Sequence, residues 1–435
     1  MRKYYQAALV VIAIVSLVSL LFYRHEYNKL RYVLEVFNYF GKPYQKDGET
    51  NCTDKEALFA KFNTKFDEPL SSWQRLSNDL YAYSAYNIRE GEIQIIGFGS
   101  PSSVKDMKCQ IFFKNETKPI LGSFSYLSID SNVDVAHANE NINYKGYHLY
   151  CTYTSNKIPT GVILFTKSDT SLNDISILPI KSQSHILNNS NIGVCITPPL
   201  SKPMELMQMI GFINFHDIIG VDNFIVYDFG IPIELNSNFK ELSTAQNPYR
   251  KFTYTNIPWN FPFPGVLPNV IKDLIQADCL YRTYNKIMYV ITLSWEEYIV
   301  LRYHHTLADL MADFNKSRMK ADRYKLKTST FCTQQADSAT ITNMTYMIFK
   351  KLHFDSSIPD NQPVYIHHSH GVLKKKNMYT RDIGSDLVTL NRYNHCFGKF
   401  NSETITEDTL ILKFTEDIQN SQIYREFVET KFFMT

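Results

Sequence analysis

Ile192-Gly193-Val194-Cys195-Ile196 and Asn223-Phe224-Ile225-Val226-Tyr227 are two compact apolar runs, and what lies between them decides the fold. Runs this short and this apolar suit strands buried on both faces, as in a parallel sheet. Between them Leu206, Met209, Ile210, Ile213 and Ile218 keep helical spacing as far as Gly220, a natural C-terminal stop. Ser201 is placed to cap that helix, with Pro203 in its first turn. A third strand reads Phe252-Thr253-Tyr254-Thr255, a helix follows over 269–284, and Ile287-Met288-Tyr289-Val290-Ile291-Thr292-Leu293 forms a further strand. Strands alternating with helices imply βαβ units, so residues 186–435 read as an α/β, Rossmann-like domain. Ligands of such sheets sit outside the carboxyl ends of the strands. Chemistry is therefore expected just after Tyr227 and just after Leu293.

The chain before this domain reads differently. Residues 72–185 carry short β-type runs at 80–86, 93–98, 109–113 and 161–165, separated by turn formers, which predicts a mostly antiparallel β module. Residues 24–71 are charged and aromatic and read as a stem. Residues 7–23 form an apolar run behind Arg2 and Lys3. No small-residue cleavage site follows it, so it reads as an uncleaved transmembrane signal anchor. The positive-inside rule then keeps 1–6 as a cytoplasmic tail and the rest lumenal. Sequons at Asn51, Asn115, Asn188, Asn315 and Asn343 and seven cysteines, all downstream, fit that lumen. Cys109 with Cys151, Cys195 with Cys279 and Cys332 with Cys396 are the candidate disulfides. Cys52 is left over and could cross-link two chains as a homodimer. Lys and Arg number 45 against 43 Asp and Glu, a balance that argues against a nucleic-acid binder driven by bulk charge.

Ser294-Trp295-Glu296-Glu297-Tyr298 follows the last strand. Two adjacent acids there could hold a divalent cation, which would neutralise a diphosphate. A solvated acidic pair opening a surface segment is the plainer reading of the spacing.

Several motifs, in order, resemble glycosyltransferase family 92. They are Val194-Cys195-Ile196-Thr197-Pro198-Pro199-Leu200, then Phe212-Ile213-Asn214-Phe215-His216, then residues 220–227, then Gln276-Ala277-Asp278-Cys279-Leu280-Tyr281-Arg282. Ser84-Ala85-Tyr86-Asn87-Ile88-Arg89 is similar to that family's Ala-Tyr-x-Asp-x-Arg segment, and Leu390-Asn391-Arg392-Tyr393-Asn394 stands where it has His-Tyr-Arg. The resemblance covers roughly Trp73 to Cys396. It implies a GT-A-type nucleotide-sugar transferase in the Golgi membrane, with the endoplasmic reticulum as second choice. It further implies an inverting hexosyl transfer, galactose foremost, from a UDP-sugar such as UDP-galactose to a fucosylated N-glycan, with Mn2+ as cofactor. The family's metal motif reads Asp-x-Asp-Glu-Phe; here Ser294 replaces the first Asp and Glu296 the second, while Glu297 is kept. That departure, with Asn87 and Arg392-Tyr393-Asn394, motivates a second reading: a catalytically inactive relative that binds a glycan or a partner protein.

The remaining candidates each carry two readings. His368 or His370, in His367-His368-Ser369-His370, could complete the metal set with Glu296 and Glu297, or form an ordinary strand-edge cluster. Tyr227 and Asp228 stand where base and ribose are usually read, although Tyr227 equally suits a core. Pro198 and Ser294 border the expected nucleotide loop. Trp259 could stack on a sugar face or simply pack. No general base is singled out.

Overall fold

The computed structural model describes residue 16 and residues 71–429, apart from 78, 115, 117, 138–139, 167–176, 182–191, 199–203, 229, 244–251, 264–265, 267, 339–343, 359–361, 375–376 and 397–403. Apart from Ser16, the expected tail, anchor and stem as far as residue 70, Cys52, the Ser201 cap and the sequons at Asn51, Asn115, Asn188 and Asn343 lie outside the described residues. Asn315 is described and exposed. Among the described residues no helix is long and apolar enough to cross a membrane.

Eight strands come first: β1 (Gln74–Ser77), β2 (Leu80–Arg89), β3 (Glu92–Gly99), β4 (Lys108–Phe113), β5 (Ile120–His137), β6 (Glu140–Thr152), β7 (Pro159–Phe165) and β8 (Leu178–Lys181). They pair in the order β1-β2-β3-β6-β5-β4-β7-β8, and β8 pairs back onto β2. All these pairs are antiparallel except β2 with β8. The predicted antiparallel module is thus a closed barrel with β1 as an outer edge strand. Closure removes the open edges that a free sheet would offer to other chains. Inside it, Ile93, Ile95, Ile111, Leu149 and Val162 are fully buried. The disulfide Cys109–Cys151 joins β4 to β6 across the intervening β5. Gly122 of β5 lies beneath it, and a Cβ there would come within 2.5 Å and 2.9 Å of the two sulfurs.

The second region begins with β9 (Ile192–Ile196), α1 (Leu206–Ile218), β10 (Asn223–Asp228), α2 (Ile233–Leu242), β11 (Thr253–Pro258), α3 (Pro268–Thr283) and β12 (Tyr289–Leu293). β9 pairs in parallel with both β10 and β12, and β10 with β11. The order β11-β10-β9-β12 means that the chain winds outward from β9 in one direction and then crosses to its other side. This is the doubly wound pattern, with its reversal between β9 and β12. Gly220 closes the turn after α1 at φ 86°, where residues with a Cβ are strained. Helix α1 itself starts at Leu206 on Glu205, with no side-chain cap.

The chain then adds β13 (Glu297–Leu301), α4 (Leu307–Lys316), β14 (Arg323–Cys332), β15 (His353–Asp355), β16 (Val364–His368), β17 (Thr380–Asp382), β18 (Val388–Asn394) and β19 (Ile405–Glu407), with short helical turns to residue 429. β16 lies antiparallel to β12, and β14 antiparallel to β16. Helix α4 is fixed by a reciprocal capping box between Thr306 and Asp309.

Successive residues of the central strands face opposite sides, so each strand feeds two cores. Val194, Ile196, Val226, Ile291 and Leu293 pack with α1 and the C-terminal turns. Cys195, Ile225, Tyr227 and Val290 pack with α3 and with Trp73, Tyr83, Tyr86, Phe98 and Tyr144 of the barrel region. Helix α3, wedged between barrel and sheet, buries Val270, Ile271, Leu274, Ile275 and Cys279. Cys195–Cys279 bonds it to β9, and Cys332–Cys396 bonds the end of β14 to the residues after β18. All three expected pairs are therefore present, the chemistry of a secreted or lumenal chain.

Asp278 of α3 is the polar counterpart of that core. Its carboxylate accepts from Ser84 and Tyr86 of β2 (2.6 Å for Tyr86), from Tyr227 of β10 (2.5 Å) and from Arg282 (2.7 and 2.9 Å). Burial works to raise its pKa, but Arg282, Lys181 and the hydroxyl donors outweigh it and hold the group ionised.

Candidate functional site

The crevice that a doubly wound sheet offers outside its carboxyl strand ends falls here at the ends of β9 and β12. The Thr197 N–H donates to the Leu293 carbonyl at 2.9 Å, which zips the two ends together. Thr197 and Pro198 are buried there, and Ser294 is half-buried. After Leu293 the chain turns sharply, the Glu297 N–H donating to the Ser294 carbonyl at 3.0 Å. Trp295 drives into the core against Phe212, 5.3 Å between ring centroids. Glu296 is left half-buried at the crevice and Glu297 points inward.

Glu297 is fully engaged. Its Oε2 accepts from the Ser294 N–H at 2.8 Å and from Lys272 Nζ at 2.5 Å. Its Oε1 accepts from Arg392 Nε at 3.0 Å and lies 2.9 Å from a terminal Arg392 nitrogen. Lys272 reaches in from α3, and Arg392 from β18, directly opposite Glu297 in the β13–β18 register. Burial pushes the Glu297 pKa upward, but the two cations and their hydrogen bonds overcome it and keep the carboxylate charged. Lys272 moves the other way, lowered by burial and by Arg392 against the pull of Glu297. Two cations meet this one buried carboxylate, and the half-buried Glu296 carboxyl beside them supplies a second negative charge when ionised.

Glu296 has the opposite setting. Burial and the neighbouring Glu297 charge raise its pKa to about 7, against the smaller effects of Lys272 and Arg392. At neutral pH it is divided between neutral and charged forms, the position of a group able to exchange a proton.

The expected manganese set does not assemble. β16 runs antiparallel to β12, so His368 lies opposite Tyr289, at the amino end of β12. Four residues of strand, about 13 Å, separate that end from Leu293 and the glutamates beyond it. His368 Nδ1 accepts from the His370 N–H at 3.2 Å, and the two rings pack at 5.2 Å. At the crevice itself Ser294 offers a neutral hydroxyl and both Glu297 oxygens are taken, which leaves Glu296 as the one carboxylate of this segment among the described residues. A divalent cation that wants several charged oxygen ligands does not fit these residues. Among the described residues no group of three His, Cys, Asp or Glu is placed to hold a metal.

Tyr227 and Asp228 are also accounted for inside the protein. Tyr227 is fully buried on the barrel side, its hydroxyl spent on Asp278. Asp228 Oδ1 accepts from the Gly230 and Ile231 N–H groups, both at 2.7 Å, and Oδ2 from Asn256 at 2.7 Å. It organises the turn after β10 rather than facing a ligand. Trp259 is 2% exposed and packs on Trp73, Tyr83 and Phe261, so it presents no face to a sugar.

Lys272 is the residue that sequence reading passed over. A signal was present: a lysine inside the buried stripe Val270, Ile271, Leu274 and Ile275 needs a carboxylate partner.

No family model and no curated protein matches the chain. Among solved structures it is similar to apo UDP-glucose pyrophosphorylase at 8% identity, covering 46% of this chain and 90% of that one, TM-score 0.22. A complex of UDP-glucose pyrophosphorylase with UDP-glucose matches at 8% identity over 53% of this chain and 97% of the other, TM-score 0.21. A purple acid phosphatase from yellow lupin (Lupinus luteus) seeds matches at 13% identity over 43% and 36%, TM-score 0.16. Likenesses at these scores define neither fold nor function.

Proposed function

We propose that the chain is a lumenal glycosyltransferase of family 92 type, with a GT-A-like domain that takes a UDP-sugar in the β9–β12 crevice. The observation that carries the reading is the doubly wound order β11-β10-β9-β12 with Ser294–Glu297 at its reversal. A hexose, galactose in the leading form, would pass from UDP to a glycan such as a fucosylated N-glycan, in the Golgi membrane. In place of a metal, Lys272 and Arg392, held on Glu297, would draw the diphosphate, most strongly when Glu296 is protonated. Glu296, poised near pKa 7, is the nearest group able to take a proton from an acceptor hydroxyl. Binding is then independent of manganese and strengthens as pH falls through about 7, because protonated Glu296 no longer repels phosphate.

Titration of the full-length chain with UDP and UDP-galactose, with and without manganese, tests this, followed by turnover on fucosylated N-glycans. Absence of UDP binding at every pH between 5.5 and 8 would sink it. The silent-relative reading is favoured by one observation, the complete engagement of Glu297 by Lys272, Arg392 and Ser294. UDP binding without turnover across a panel of UDP-sugars and acceptors would select it.

A further inference from the structure

The sequon Asn315-Lys316-Ser317 plays no part in the crevice, and the fold gives it a definite place. It closes helix α4, whose Leu307, Leu310, Met311 and Phe314 form one buried stripe. Asn315, Lys316 and Ser317 lie off that stripe and are all exposed. The chain then leaves the helix at once. Arg318 takes a left-handed φ of 55°, and the Ser317 and Met319 N–H groups donate to the Asp313 and Phe314 carbonyls, both at 2.9 Å.

Both ends of α4 are tied to the side of the sheet where the strands enter. The Leu307 N–H donates to the Ile219 carbonyl at 2.8 Å, just ahead of β10. Asn315 Nδ2 donates to the Tyr289 hydroxyl at 3.1 Å, and Tyr289 is the first residue of β12. The crevice lies outside the opposite, carboxyl ends of these strands. A bulky group on Asn315 therefore leaves the crevice open. The side-chain amide carries two hydrogens, so one can stay on Tyr289 when the other is replaced.

The three disulfides are the chemistry of a secreted or lumenal chain. In that compartment an exposed Asn-x-Ser without Pro in the middle is an acceptor for an N-linked glycan. We infer that Asn315 carries an N-linked oligosaccharide, on the side of the sheet away from the crevice. The donor class is a lipid-linked oligosaccharyl diphosphate. A bond forms between Asn315 Nδ2 and the anomeric carbon of the first sugar, and the bond from that carbon to the phosphate oxygen breaks. The lipid diphosphate leaves, the proton lost from Nδ2 balances its charge, and no oxidant or reductant is needed. Ser317 completes the acceptor signal, whereas Asn315 alone bonds Tyr289, so the modification and the packing role can be separated. The inference rests on the lumenal reading of the chain and not on the activity proposed for the crevice.

Expression of the full-length chain in cells with a secretory pathway tests it. Glycans are released enzymatically in heavy-oxygen water, which turns each glycosylated Asn into a labelled Asp, and the peptides are read by mass spectrometry. Label at Asn315 is expected in most copies, and Asn315→Gln is expected to remove one glycan from the intact mass. Ser317→Ala is expected to remove the same glycan while leaving the Asn315–Tyr289 bond in place, and Ser317→Thr to keep it. These two exposed substitutions carry the test where the glutamine variant does not fold. An unlabelled Asn315 beside a labelled sequon elsewhere, or label at Asn315 that survives Ser317→Ala, overturns the assignment. Absence of label at every sequon overturns it together with the lumenal reading.

Discussion

The two ends of β12 solve the same problem in opposite ways. At the carboxyl end, Glu297 is as buried as a side chain can be, and every oxygen lone pair faces a donor from Lys272, Arg392 or Ser294. Toward the amino end, His367 is equally buried and has no partner on either nitrogen among the described residues. A closed charge network holds a shape; a buried polar group with unmet atoms subtracts from stability. The contrast separates a buried polar group that supports the fold from one that the fold carries at a cost.

The strongest way to break this contrast is Glu297→Ala. It leaves Lys272 and Arg392 facing each other without a counter-charge, and removing one side of a buried pair costs about 3–5 kcal/mol. A large fall in Tm is expected, and the double variant K272M/E297Q is expected to recover part of it. A fall of less than about 1 kcal/mol in denaturant unfolding would show that the network is not buried as described.

Glu296→Gln sharpens the comparison within the crevice. A raised carboxyl pKa means that the folded protein holds its proton more tightly, so stability is fully present below the unfolded value near 4.5. It is lost as pH rises through about 7. The glutamine variant is therefore expected to be more stable than the parent at pH 8, by on the order of 2 kcal/mol, allowing for partial solvent screening. No difference is expected at pH 4. Parallel Tm-versus-pH curves for the two proteins would contradict the assignment.

The smallest effect has the reverse sign. His367→Leu removes two unmet polar atoms from the interior and is expected to raise stability by about 1 kcal/mol. The gain on removal measures what the two unmet nitrogens cost the folded state. Destabilisation by more than about 1 kcal/mol in calorimetry would mark His367 as an ordinary packing residue.

How much of this could be read from the chain depended on whether local pattern or chain direction carried the information. β9, β10 and β12 were legible because a parallel strand covered on both faces is largely apolar, as 192–196 and, Thr292 apart, 289–293 are. Cys195–Cys279 followed from placing Cys195 on the first strand and Cys279 on the helix before β12, and the other two pairs from keeping each bond within one region. The manganese set failed for a directional reason: nothing in His367–His370 says whether its strand runs with β12 or against it. Running against it carries the histidines to the far end. Tyr227 and Trp259 looked available because aromatic rings serve a core and a ligand equally well. The Asp278 carboxylate and the neighbouring rings that claim them come from distant parts of the chain. β13, β14 and β18 escaped notice because runs such as Arg323–Cys332 mix charge with apolar residues and lack the period of a simple half-buried strand.

The Asp278 hub has a consequence for inheritance and engineering. Ser84 and Tyr86 come from the barrel, Tyr227 from the sheet, and Asp278 and Arg282 from the helix between them. Cutting at residue 185 would divide one hydrogen-bonded unit and bare Phe261, Phe263 and Trp259 to water. The barrel is therefore no detachable accessory. It can be exchanged or transplanted only together with α3, and the two regions are bound to change as one.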